Sequence, residues 1–127
     1  NWSVRWRPAG RRWQTYYPGP RAWSEPETRL ARSLITRLRP QATIWYHQHM
    51  NLVWASGPSV DAGSVYARAA SMKLLRRASP AGAATSWQRH LMPRAAAFVV
   101  ELPAGRLDGR AITRHVRAIA AVAATLD

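Results

Sequence analysis

The sequence contains no cysteine and few acidic residues, and both shortages restrict its chemistry. Without cysteine, the chain has neither disulfides nor thiolate metal ligands. A transition-metal site would therefore have to use histidine, aspartate or glutamate. Six acidic residues stand against 19 basic ones, which gives a net charge of +13. No stretch reaches the roughly 20 consecutive apolar residues of a membrane-spanning helix, so we expect no membrane span.

Several short motifs of enzyme sites are also missing. The sequence has no His-Glu-x-x-His, no His-x-x-Glu, no Gly-x-Ser-x-Gly and no glycine-rich phosphate loop. The chain begins with Asn1 rather than methionine and carries no secretory leader. We therefore expect a fragment or a processed product.

The residues that are present favour one modest globular domain. Hydrophobic residues make up 47% of the 127 positions, which is enough for a core and too many for a disordered tail. Every basic residue except Lys73 is an arginine. This charge suits either a nucleic-acid or membrane-surface binder or a solvated arginine-rich surface. Because the arginines form no long run and no zinc-finger spacing occurs, we expect no specific nucleic-acid partner, and a basic nucleic-acid-binding module stays an alternative.

The spacing of apolar residues predicts alternating helices and strands. Residues 1–23 are rich in tryptophan and proline and are expected to form an ordered loop. The segment "SEPETRLARSLITRLRP" predicts a helix capped by Ser24, with Glu27 completing a capping box. Its apolar stripe is expected to be buried and consists of Leu30, Leu34, Ile35 and Leu38.

The remaining segments continue the alternation. We predict a buried strand over 42–47, a helix over about 62–77 and a second strand over 95–102. The inward side of that helix should hold Val65, Ala69 and Met72. A last helix should be capped by Asp108 and carry on one face Ile112, Val116, Ile119, Ala123 and Leu126. Helices alternating with short apolar strands predict the α/β class.

Polar residues at the ends of the two predicted strands are the candidates for chemistry. His47 and His49 follow the run "ATIWY", and Glu101 ends the run "AAAFVV". Sites in open α/β sheets gather at the carboxyl ends of strands, so His47 and Glu101 are expected to face one cleft. The alternatives are a core histidine bonded to backbone and a glutamate that faces water. His90 lies in a turn-rich loop that can reach a cleft, whereas His115 is expected to face solvent.

Four segments in order resemble a known family over nearly the whole chain. "SEPETRLARSLITRLRP", "ATIWYH", "TSW" at 85–87 and "FVVELP" at 98–103 resemble the C-terminal part of a zinc metallocarboxypeptidase, closest to the murein peptide amidase subgroup. The resemblance implies part of a mixed β-sheet flanked by helices, with the N-terminal portion of the domain missing. Residues 1–127 would then form the C-terminal portion of one catalytic domain.

The resemblance also implies a site. His47 matches the third zinc ligand, Glu101 the general base, and Asn1 a residue that binds the substrate carboxylate; His49 and His90 are further substrate-binding candidates. One zinc ion is implied, with its other two ligands in a His-x-x-Glu motif upstream, so the fragment is expected to be inactive alone. The implied substrate is a peptide or murein peptide. The complete protein is expected to be a monomer that is extracytoplasmic or secreted, with a cytoplasmic location as the alternative. A non-catalytic relative that binds cell-wall peptides is a further alternative.

Overall fold

The structure is a computed structural model that describes residues 2, 11–14, 17 and 19–126. In chain order its elements are α1 (Pro26–Leu38), β1 (Ala42–Ala55), α2 (Ser59–Ala69), β2 (Lys73–Arg76), α3 (Ala84–Leu91), β3 (Ala96–Pro103) and α4 (Gly109–Ala123). The strands form one sheet in the order β2-β1-β3, so the predicted α/β class is confirmed. Within the described ranges, no helix combines the length and apolarity needed to cross a membrane.

Strand β1 is longer than the predicted 42–47 because the chain reverses within it. Its first half, Ala42–Gln48, pairs in parallel with Ala96–Leu102 of β3. Asn51 then adopts a left-handed backbone with φ of 51°, a conformation that asparagine tolerates better than most residues. The register shifts repeatedly between His49 and Trp54. The strand direction changes over this irregular stretch.

The second half of β1 returns along the other side of β3. Leu52, Val53 and Trp54 pair with Glu101, Val100 and Val99, so the partner numbers now decrease as β1 advances. The same residues of β3 also pair with the first half of β1. Residues 99–101 therefore lie between the two halves of β1. The second half also pairs in parallel with β2, which completes the sheet.

The core lies between one face of this sheet and helices α2 and α4. Val53, Phe98 and Val100 are fully buried there, as is Tyr66 of α2. Helix α2 approaches β1 closely at Gly63, where an added Cβ would lie 2.7 Å from the Cβ of Ala55. The two helices cover this face of the sheet, and the opposite face is available for other contacts.

Two predictions about helix α1, its cap residue and its buried stripe, are wrong in part. Its N-cap is Glu25 rather than Ser24, because Pro26 occupies the first turn, and the Ser24 hydroxyl instead donates to Glu25 Oε1 at 2.6 Å. Of the predicted buried stripe, Ile35 is buried. The leucines of that stripe are exposed, at 72% for Leu30, 43% for Leu34 and 63% for Leu38. The face through which the helix packs against the rest of the described chain is therefore narrower than its apolar stripe.

The predicted second helix is too long, and two elements after it were missed. The helix α2 ends at Ala69, Ser71 adopts a left-handed backbone with φ of 54°, and β2 follows. Val65 and Met72 pack against the core, as predicted, but Ala69 is exposed. The stretch around His90, predicted to be a turn-rich loop, lies largely in the helix α3. Leu74 packs on the core from β2.

Helix α4 begins as predicted but buries a different face. Asp108 caps it by accepting from the Ala111 backbone N–H at 2.7 Å. The helix buries His115, Ala118 and Val122 instead of the predicted stripe. From that stripe, Leu126 is partly buried, while Ala123, Ile112, Val116 and Ile119 are exposed. The small Ala118 lets the helix approach the core closely.

Candidate active site

The predicted pairing of His47 with Glu101 is confirmed by the sheet. The two residues are partners in the register of β1 and β3, and both line one pocket of about 440 Å³. Side chains alternate between the faces of a sheet, so the face opposite the core carries Trp45, His47, Val99 and Glu101. The two strand-ending polar residues therefore face one cavity, while their chemical roles stay predictions.

Glu101 occupies an environment unusual for a carboxylate. Its side chain is 9% exposed, and its Oε2 is buried with no hydrogen-bond partner in the described part of the chain. Its register partners are His47 on one side and Leu52 on the other. Burial of an unpaired carboxylate oxygen is costly, and such an atom points to a binding or catalytic role. The alternative of a water-facing Glu101 is excluded by this burial.

His47 is exposed and lines the same pocket, so its imidazole is accessible to a ligand. It is not the core histidine that was the alternative. Among the residues that the structure describes, no three histidine, cysteine, aspartate or glutamate side chains stand close enough to hold a metal ion. His47 thus fits as a single ligand, and the described residues do not complete a metal site.

Aromatic side chains form much of the pocket wall. Trp45 and Trp54 lie on either side of Val99, since both are its register partners. Trp2 packs edge-on against Trp45, with ring centroids 5.2 Å apart, and its centroid is 5.0 Å from that of Trp87. The Trp2 backbone N–H also donates to Gly82 O at 3.0 Å. The indoles are therefore joined to one another and to the loop before α3.

Helix α3 covers this face of the sheet and is held there by polar contacts. The fully buried Gln88 donates through Nε2 to Thr43 Oγ1 at 2.7 Å. Arg89 donates to Ser56 Oγ at 3.0 Å. Two residues at the start of α3, Ala84 and Thr85, line the pocket. The helix thus supplies a wall of the cavity that holds Glu101.

A second polar cluster lies on the opposite, core face. The hydroxyls of Tyr46 and Tyr66 are 3.0 Å apart, and the Tyr66 hydroxyl is 2.8 Å from His115 Nδ1. Burial, followed by the contact with Tyr46, raises the pKa of Tyr66. Burial, followed by the charge of Arg114, lowers the pKa of His115. His115 is 6% exposed, so the prediction that it faces solvent is wrong.

The other predicted site residues lie elsewhere. Asn1 falls outside the described residues. His49 is exposed and pairs with Pro103 beyond the pocket. His90 is exposed on α3, with Nδ1 2.7 Å from Ser86 O. Neither histidine is among the residues that line the His47 and Glu101 pocket, so their substrate-binding roles stay predictions without a contact here.

Several pocket residues were not predicted from the sequence. Trp45 and Val99 each precede a candidate residue by two positions, so strand alternation alone was a sufficient signal for them. Trp54 reaches the pocket only because β1 reverses direction. No signal in the sequence gives that reversal, although Asn51 is compatible with it.

Comparison with known proteins supports the fold. No protein-family profile and no curated protein matches this chain. Solved structures do match, and they assign to the chain a carboxypeptidase-like α/β fold, as the resemblance implied. Their sequence identities are low, so the likeness concerns the fold alone.

Two of these structures define the extent of the likeness. Murein-tripeptide amidase MpaA from Escherichia coli O157 matches with a TM-score of 0.60 and 21% identity, over 91% of this chain and 50% of that one. Carboxypeptidase A from Helicoverpa armigera matches with a TM-score of 0.67 and 19% identity, over 87% of this chain and 36% of that one. The chain therefore spans about half and about a third of these two proteins.

Proposed function

We propose that this chain contributes to the active site of a zinc-dependent peptidase of the metallocarboxypeptidase or murein peptide amidase type. The reaction is hydrolysis of an amide bond near the C-terminus of a peptide. One observation carries the proposal: the buried Glu101 carboxylate, with Oε2 unpartnered, stands beside the accessible His47 in one pocket. The fold shared with an amidase and a carboxypeptidase is consistent with that chemistry.

The two residues have different roles in this proposal. His47 would hold the zinc ion through one imidazole nitrogen. When bound, zinc supplies Lewis-acid activation of the attacking water and of the substrate carbonyl. Glu101 accepts a proton from the water and transfers it to the leaving nitrogen. Its burial keeps bulk water from competing for the carboxylate.

We also propose that the 127 residues are the C-terminal portion of a larger catalytic domain. The other two zinc ligands then come from a His-x-x-Glu motif upstream. This is supported by the incomplete ligand set among the described residues and by the partial coverage of both similar structures. The exposed apolar stripes on α1 and α4 provide surface for the rest of such a domain. By itself, the chain is expected to bind zinc weakly and to be inactive.

The test distinguishes the general base, Glu101, from the zinc ligand, His47, in the complete protein. Glu101→Gln keeps the size of the side chain and removes the proton acceptor. Turnover should therefore fall by a factor of about 10² to 10⁴. Zinc content should stay at about one ion per chain. His47→Ala removes a ligand, so zinc content and activity should fall together. The measurements are metal analysis and steady-state kinetics on both variants.

The exposed His90 gives the matched control. His90 belongs to α3 and does not line the pocket, so His90→Ala should leave zinc content unchanged. Loss of zinc in Glu101→Gln with retention in His47→Ala would reverse the two roles. Full activity in both variants would refute the peptidase proposal, and a basic binding role would then account better for the net charge of +13.

A further inference from the structure

We infer that Gln48 is a positioning residue, whose side chain holds the segment after Glu101 against the strand end that carries His47. The inference rests on the proposed function, because it concerns the geometry between the base and the ligand of the same site. Gln48 follows His47 directly in β1 and is exposed. It is not among the described residues that line the pocket, so its effect on the reaction is exerted through its neighbours.

The side-chain amide of Gln48 makes two hydrogen bonds to the segment after Glu101. Its Nε2 donates to Pro103 O at 3.0 Å and to Gly105 O at 2.8 Å. An amide nitrogen carries two N–H groups, so each of them can make one of these bonds. Pro103 is the last residue of β3, and Gly105 lies in the turn that follows. One side chain therefore connects the end of β1 both to the end of β3 and to the turn after it.

The backbone pairing of β1 with β3 becomes irregular just beyond the pair His47 and Glu101. Pro103 is the partner of both His49 and Met50, so the register shifts at this point. Proline has no backbone N–H, so Pro103 cannot donate to the ladder. The side-chain bonds from the glutamine thus join the two strands where the backbone ladder is weakened.

The turn at 104–106 has little packing of its own. All three of its residues are exposed. Gly105 has a φ of 84°, and a Cβ added to it would meet no atom of the described residues within 4 Å. Because apolar packing does not hold this turn, its attachment to β1 depends on the hydrogen bonds from Gln48.

A small displacement of this end of β3 matters for the proposed chemistry. A general base takes a proton only within hydrogen-bond reach, about 2.6 to 3.2 Å between heavy atoms. Glu101 lies two residues before Pro103, so a shift of the strand end moves the carboxylate relative to His47. A misplacement of about 1 Å can lower a rate by about 10². The bonds of Gln48 therefore fix the position of the base relative to the ligand.

Gln41 provides a matched control at the other end of the sheet. It directly precedes β1, is exposed, and donates through Nε2 to Leu126 O at 2.8 Å. Gln41→Met and Gln48→Met each keep a side chain of similar length and remove the same kind of donor. A bond that served stability alone would give the two variants the same consequences.

Steady-state kinetics on the complete protein test the inference. Gln48→Met should lower kcat by about tenfold to 10² and change KM by no more than about twofold, because the base is misplaced while substrate binding is retained. Gln41→Met should leave both constants unchanged. Gln48→Lys keeps N–H donors at the end of a flexible chain, so it should restore most of kcat. The unfolding midpoints of the two methionine variants should agree.

A second measurement requires neither zinc nor turnover. Backbone NMR relaxation of the 127-residue chain gives order parameters for the amides of Gly105 and Arg106. These should be about 0.85 in the unaltered chain and in Gln41→Met, and should fall below about 0.6 in Gln48→Met.

Two results would overturn the inference. One is equal kcat in Gln48→Met and Gln41→Met, and the other is an order parameter of the turn that Gln48→Met leaves unchanged. In either case the proposed function stands if Glu101→Gln still lowers turnover. Full turnover in Glu101→Gln would instead refute the proposed function, and the NMR comparison would still decide whether Gln48 holds the turn. If Gln48→Met does not fold, Gln48→Ala removes the same donors and replaces it in both measurements.

Discussion

At the scale of single residues, the surroundings of His115 make the stability of the fold depend on pH. His115 is buried against Tyr66, and burial and Arg114 lower its pKa from the ordinary value of 6.5. The unfolded chain therefore takes up a proton at His115 as the pH falls through about 6.5, while the folded chain does not. The contribution of His115 to the free energy of unfolding is fully present above that pH. It is lost progressively as the pH decreases below it.

This prediction is checked by urea denaturation of the chain between about pH 5 and pH 8, the range in which histidine titrates. The urea concentration at the unfolding midpoint of the unaltered chain should decrease as the pH is lowered. His115→Asn removes the titrating group, so its midpoint should depend less on pH. His90→Asn, at an exposed position, is the matched control and should keep the full dependence. Identical pH profiles for His115→Asn and the unaltered chain would contradict the prediction.

The site residues show what a sequence reveals at this scale. His47 and Glu101 were predictable because each ends an apolar run, and strand ends gather at one edge of a sheet. His115 was not, because its neighbours Arg114 and Val116 are both exposed and its buried partner, Tyr66, is on another helix. A histidine whose hydrogen-bond partner is a hydroxyl far away in the sequence has no local signature.

At the scale of elements, the two predicted helix caps make a direct comparison. Asp108 accepts from the backbone of Ala111 and caps α4, whereas the N-cap of α1 is Glu25, which makes no side-chain cap bond. Asp108→Ala should therefore lower the free energy of unfolding by about 1 kcal/mol. Ser24→Ala should lower it by less, because its hydroxyl contacts Glu25 outside the helix.

The measurement is the denaturation midpoint of both variants beside the unaltered chain. Asp108→Asn keeps a side-chain acceptor and should restore most of the loss, since asparagine caps as well as aspartate. An equal loss in Ser24→Ala and Asp108→Ala would mean that Ser24 caps α1 in solution.

The elements differ in how far local sequence determined them. Strand β3 was predicted within one residue at each end because its apolar run is continuous. The strand β2 was missed because "SMKLLRR" fits a helix as well as a strand, and the left-handed Ser71 that separates α2 from β2 has no obligatory residue type. Strand pairing with β1 then decides the conformation, and pairing is a long-range property.

At the scale of the whole molecule, the exposed apolar surface on α1 yields a prediction that tests the proposed larger domain. Leu34 is 43% exposed and Ile35 is 6% exposed, although both belong to the predicted apolar stripe. In this chain, Leu34→Ala should change the free energy of unfolding by no more than about 0.5 kcal/mol. Ile35→Ala should cost about 2 to 5 kcal/mol.

In the complete protein, Leu34→Ala and Ile35→Ala should lower the free energy of unfolding by similar amounts. If upstream residues cover the stripe, Leu34→Ala should there cost about 2 kcal/mol or more, by the same loss of packed methyl groups. Chemical denaturation of each variant in both proteins is the measurement. A Leu34→Ala cost that stays small in the complete protein would show that α1 remains uncovered, against the proposed domain.

The position of β3 between the two halves of β1 has a consequence for synthesis of the chain on the ribosome. About 40 residues separate Ala55 from Ala96, so both strands that flank β3 are made well before β3 itself. At about 5 to 20 residues per second, this leaves an interval of roughly 2 to 8 s. During that time the two halves of β1 each have an unpaired edge and no central strand between them. Such edges invite pairing with other nascent chains, so the protein is most vulnerable to aggregation before residue 103 is added.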